Sequence, residues 1–120
     1  MLGSQLTHYY TIIAWGQVAK SESVLAELRP IVRAAAASPM TRIIWHQMVG
    51  AHEWYIGDFR ACLRAVEQGL ETGRVHAIHV LDHHLLVNGV LAALGSRDVP
   101  AARRFLAQMA GVLSSPQLVN

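Results

Sequence analysis

Apolar residues recur at helical spacing along almost the whole chain, and helix-capping residues break that pattern at near-equal intervals. Strict apolar/polar alternation is not sustained anywhere, and β-branched residues do not cluster, so strands have no support. Six helical segments are expected. The first runs from about Ser4 to Ala19. The second starts at Ser21, a good N-cap with Glu22 in the first turn, and passes through Val24, Leu25, Leu28 and Val32 to the alanines at 34–37. Pro30 should kink or split it. The third opens on Pro39, carries Ile43, Ile44, Trp45, Met48, Val49, Trp54, Tyr55 and Ile56, and ends at Gly57. Asp58 caps the fourth, where Phe59, Cys62, Leu63, Val66 and Leu70 share a face and Thr72-Gly73-Arg74 should end it. The fifth covers about Val75 to Leu94 and stops at Gly95-Ser96. Asp98 caps the sixth, which Val99, Ala102, Leu106, Met109 and Leu113 line.

Short turns join these segments in pairs, which implies antiparallel neighbours. The second members begin at Ser21, Asp58 and Asp98, intervals of 37 and 40 residues, inside the range of helical-hairpin repeats. The first members are apolar nearly all round. The second members place Arg29, Arg33, Arg60, Arg64, Glu67, Glu71, Arg103, Arg104 and Gln108 on one outer face. A helix apolar all round is buried between neighbours, whereas an amphipathic one lies outside. The expected fold is therefore all-α, an α-solenoid of three antiparallel hairpins over about residues 4–37, 39–72 and 75–115. Residues 1–120 form one helical-repeat domain, expected to be a segment of a longer protein.

Composition narrows the function classes. Hydrophobic residues make up 52% and charged ones 15%, against about 25% charged in a typical soluble domain. Disorder is excluded by the apolar content. No stretch long enough to cross a bilayer lacks polar interruption, and no secretory signal is visible, so a cytoplasmic location away from membranes is expected. Nine of the ten basic residues are arginine, the net charge is only +2, and the arginines are mixed with acids along the chain. That leaves no basic stripe for direct nucleic-acid contact. The lone Cys62 excludes an internal disulfide and a Cys-based zinc site.

The middle pair carries the most informative local pattern: Trp45-His-Gln-Met48-Val49-Gly50, then Tyr55-Ile56-Gly57-Asp58-Phe59, then Cys62, Val66 and Gly69-Leu70. It resembles a tetratricopeptide repeat, with small residues at the helix crossing and a Gly-Asp-aromatic turn. The third pair repeats the theme in Asn88-Gly89, Gly95-Ser96-Arg97-Asp98-Val99 and Ala101-Ala102. The first pair does so in Trp15-Gly16, Lys20-Ser21-Glu22-Ser23 and Leu25-Ala26. The run Leu91 to Met109, with Ala-Ala-Arg-Arg-Phe at its centre, resembles the helical sensor region of large LuxR-type (MalT-like) bacterial transcription regulators. That resemblance implies a signal-transduction role in transcription regulation. The chain lacks the GxxxxGK[ST] loop of such a regulator's ATPase part and a recognisable helix-turn-helix.

Residue chemistry points to recognition and away from catalysis. No cofactor and no catalytic residue is assigned. No Ser/His/Asp set has helpful spacing, and Cys62, at the small crossing position of a hairpin, should be buried and inert. The expected function is non-catalytic binding of a protein, a peptide or a small effector on the concave surface of the first-member helices. Candidate contacts are Gln47, Ala51 and Trp54 on the third helix, with His79, Asp82 and His83 on the fifth. Self-association through the end helices is also expected, since solenoid ends expose apolar faces unless capped. A rival reading sets His76, His79 and His83 on one helical face as a metal-binding or metalloenzyme site, although the HExxH glutamate is missing. A purely structural oligomerisation module is a third.

Overall fold

The computed structural model describes residues 18–34 and 37–113, and all five regular elements in them are α-helices. They are α1 (Val18–Arg33), α2 (Pro39–Ile56), α3 (Phe59–His76), α4 (Asp82–Gly95) and α5 (Val99–Leu113). The expected helix over residues 4–19 lies mostly outside the described residues, as does the chain after Leu113.

Four boundaries follow the local chemistry of the sequence. The Ser38 hydroxyl accepts from the Thr41 N–H at 3.1 Å, and Pro39 occupies the first turn, where its missing N–H costs nothing. Gly57 leaves α2 at φ 89°, a left-handed conformation natural to glycine. Asp58 caps α3 through Ala61 N–H at 3.1 Å, and Asp98 caps α5 through Ala101 N–H at 3.1 Å.

The two turns that hold these aspartates are copies of each other, 40 residues apart. Asp58 N–H donates to Glu53 O at 2.8 Å, and Asp98 N–H donates to Ala93 O at 2.8 Å. Gly57 N–H donates to Trp54 O at 3.0 Å, and Arg97 N–H donates to Leu94 O at 3.1 Å. Arg97 takes the left-handed conformation at φ 60° that glycine takes in the first turn. Each turn joins two helices that pack on each other, α2 on α3 and α4 on α5. α4 also packs on α3 and α2, and α1 packs on α2.

Three expectations are corrected. Ser21 is not a cap: residues 18–33 form one continuous helix, and the Ser21 side chain is buried inside it. The expected turn at Lys20-Ser21 is therefore absent. The helix runs through Pro30 and ends at Arg33, short of the alanines at 34–37. Gly73 does not end α3, which continues to His76 and is closed by Ala77 at φ 54°. Gly73 serves a close approach instead, because a Cβ there would lie 2.5 Å from the Ile78 carbonyl oxygen. The segment 77–81 is consequently a loop, and α4 begins only at Asp82.

The core has two centres. One joins Leu25 and Leu28 of α1 to Ile44, Met48 and Ala51 of α2. The other joins Ile43 to Cys62, Val66, Leu85, Leu86, Ala92, Ala93, Ala101, Ala102 and Phe105. Small residues let the helices close up. The Phe105 ring lies over Gly89 and the Phe59 ring over Gly95, where an added Cβ would meet ring atoms at 3.1 Å and 2.6 Å. The arginines of the expected outer faces are exposed, as their amphipathic helices require. α4 is less enclosed than a helix apolar all round should be: Leu91 and Leu94 are exposed.

Candidate functional site

The helix pairing fixes where each candidate residue can act. Arg42, near the start of α2, reaches His76, the last residue of α3, at 3.4 Å. Gly73 of α3 touches Ile78 and neighbours Asp82 at the start of α4. These groups share one end of the helix pairs. The turn at Gly57-Asp58 and the end of α4 share the other, since Phe59 packs on Gly95. An 18-residue helix such as α3 separates the two ends by about 27 Å.

The six expected contact residues fall in three places. Trp54 sits at the turn end, 36% exposed. His79, Asp82 and His83 sit at the opposite end, with His79 Nδ1 2.9 Å from an Asp82 carboxylate oxygen. Gln47 and Ala51 point inward, 1% and 5% exposed, Ala51 against α1. They do not form one surface. The buried pair lies within the α2 packing and presents nothing to a ligand in this conformation.

The histidine face of the metal reading is absent from the structure. His76 ends α3, His79 belongs to the loop and His83 to α4, so the helical spacing that aligned them does not exist. Among the described residues no group of three or more His, Cys, Asp or Glu side chains converges as a metal site.

Two arrangements escape a linear reading of the chain. Ser21 Oγ lies 2.7 Å from His52 Nδ1, with both residues buried and 31 positions apart. Glu22 stands 4.0 Å from the other ring nitrogen. The trio contains the residue types of a hydrolytic triad, but Ser21 is only 1% exposed. It pins α1 to α2. No sequence spacing signals it, because its two halves sit on separate helices.

The second arrangement is a cleft of about 370 Å³ between α1 and α2, lined by Arg29, Val32, Arg33, Trp45 and Val49. The Arg29 guanidinium stands 5.8 Å from the centre of the half-buried Trp45 ring, within cation–π range. The four-residue spacing of the two arginines was legible, but their facing tryptophan was not. A shallower depression of about 500 Å³ on α2 and α3 is lined by His46, Glu67, Gln68, Glu71 and Thr72. Burial, and then the charge of Arg42, holds the His46 imidazole below its ordinary pKa, which favours the neutral ring. The acids there are already engaged: Glu67 pairs with Arg104 of α5 at 2.9 Å, and Glu71 with Arg74.

Cys62 behaves as a packing residue. Burial first, then the charges of Glu53 and Asp58, pushes its thiol from 9.0 up to about 12. Its Sγ lies 3.8 Å from the Asn88 carbonyl oxygen. A thiol so protonated is a poor nucleophile.

No known protein family, no curated protein and no solved structure matches this chain. Among the described residues no helix is long and apolar enough to cross a membrane.

Proposed function

We propose that this chain is a non-catalytic recognition module built as an α-solenoid of helical hairpins. Binding on its surface would bias the packing between neighbouring hairpins, the mode of response natural to an architecture in which each unit touches only its neighbours. The observation that carries the proposal is the duplicated turn at Gly57-Asp58 and Arg97-Asp98, whose hydrogen bonds recur at a shift of 40 residues. A repeated unit with side-by-side helix pairs supplies an extended surface with no need of a catalytic centre. The phrasing of residues 91–109 favours the sensor region of a LuxR-type bacterial transcription regulator as the parent.

The test is a binding screen with tryptophan fluorescence as the readout, using short peptides, sugars, small carboxylates and phosphate esters. Each ligand is analysed after incubation. Saturable, stoichiometric binding with the ligand recovered unchanged is the expected result. Conversion of a ligand into product would overturn the non-catalytic reading, as would the absence of saturable binding across all the classes.

A further inference from the structure

We infer that the cleft between α1 and α2 binds a small organic carboxylate with a flat apolar body, an aromatic acid, gripped by Arg29 and Arg33 against Trp45. The inference rests on the proposal that the chain is a recognition module.

The first ground is charge. Arg29 and Arg33 stand four residues apart on α1, both exposed. Like charges at that spacing repel. Among the described residues neither guanidinium forms an ion pair, whereas Arg74 and Arg104 are paired with Glu71 and Glu67. Among the described residues no acidic side chain lines the cleft. Two positive charges therefore share a concave wall without a counter-charge, a setting that an anion relieves. Arg33 lies in the last turn of α1, where a cation also meets the negative end of the helix dipole. That accounts for Arg33 but not for Arg29, one turn earlier and held over the indole ring.

The second ground is shape. Trp45, Val32 and Val49 give the cleft an apolar side, and its volume falls within the range of small-molecule sites. The guanidinium fork matches a carboxylate or a phosphate. Among the described residues no helix N-terminus, the usual grip on phosphate, lines the cleft. It lies beside the carbonyl end of α1, which penalises a dianion more than a monoanion. A carboxylate is the better fit.

The test is titration of the full chain by calorimetry and tryptophan fluorescence. Benzoate, neutral benzamide and phenyl phosphate are the probes, and Arg29→Gln, Arg33→Gln and the distant control Arg103→Gln are the variants. Benzoate should saturate a single site and bind at least about tenfold more tightly than benzamide. Arg29→Gln and Arg33→Gln should each weaken it about tenfold at unchanged circular dichroism, while Arg103→Gln binds normally. Benzamide binding as well as benzoate would overturn the inference without recourse to any variant. So would phenyl phosphate binding more tightly than benzoate, or no benzoate binding at millimolar concentration. Benzoate binding that neither arginine variant weakens would overturn this site and leave the recognition module standing. Chemical conversion of a probe would overturn the module itself.

Discussion

Ser21 on α1 and His52 on α2 share a hydrogen bond of 2.7 Å with both side chains buried. The bond adds to the apolar contacts of Leu25, Leu28, Ile44, Met48 and Ala51 between the same two helices. Ser21→Ala keeps the helix propensity and removes the hydroxyl. His52 Nδ1 then stays inside without that partner, at a cost of about 1–3 kcal/mol. Urea denaturation should show a lower midpoint at unchanged slope. Replacing His52 by Leu in the Ser21→Ala background should cost less than the two single changes added, because a contacting pair is non-additive. Strict additivity would show that the hydrogen bond contributes nothing.

What was legible in the sequence is what chemistry settles within a few residues. Asp58, Asp98, Ser38 and Gly57 act on backbone groups no more than five positions away, so the local sequence announces them. Ser21 is the instructive failure. It has the preferred cap chemistry, but its hydroxyl meets a ring 31 residues away, and only the packing of α1 on α2 reveals that. The loop 77–81 failed for a related reason. Its apolar residues suit a helix, and the turn depends on Ala77 in a left-handed conformation that no residue type there signals. The candidate contacts suffer in turn: helical spacing puts His79 and His83 on one face only where the segment is helix, and His79 lies in the loop. Gln47 and Ala51, expected on an open surface, are both buried.

Gly73 and Gly111 should respond oppositely to alanine. At Gly73 a Cβ would lie 2.5 Å from the Ile78 carbonyl oxygen, which is backbone and cannot rotate away. Gly73→Ala should destabilise by about 1–3 kcal/mol and loosen the loop that leads into α4. At Gly111, inside α5, an added Cβ would meet no atom of the described residues within 4 Å, so alanine gains helix propensity of up to about 1 kcal/mol. Thermal melts of the two variants should move in opposite directions from the wild type. A Gly73→Ala protein as stable as the wild type would mean that Ile78 does not close on α3.

Cys62 sets an alkaline limit. Its thiol titrates near 9.0 when exposed and is pushed to about 12 in the fold, chiefly by burial. Below about pH 9 both states keep the proton, and the thiol adds no pH dependence. Between about 9 and 12 the unfolded chain releases its proton while the native one retains it, so stability falls as pH rises, by roughly 1.4 kcal/mol per pH unit. Cys62→Ala removes this slope. Comparison of the two proteins by urea denaturation from pH 8 upward isolates the thiol from every other group, and parallel curves would contradict its burial. At neutral pH, iodoacetamide should label Cys62 only as fast as the protein opens.

Phe105 offers the sharpest test of how the helices depend on one another. It is fully buried, and its ring covers Gly89, so it ties α5 to α4. Phe105→Ala should cost about 3–5 kcal/mol locally. In a stack of hairpins that loss stays near its origin, because each unit draws stability from itself and its neighbours. Hydrogen exchange should then show α4 and α5 losing protection while α1, held by the core around Leu28 and Met48, keeps most of its own. A single cooperative bundle predicts the opposite, an equal loss of protection in every helix. Uniform loss would remove the solenoid reading and the hairpin-to-hairpin response built on it. The arginine cleft between α1 and α2 could still be tested, since neither of its walls contains Phe105.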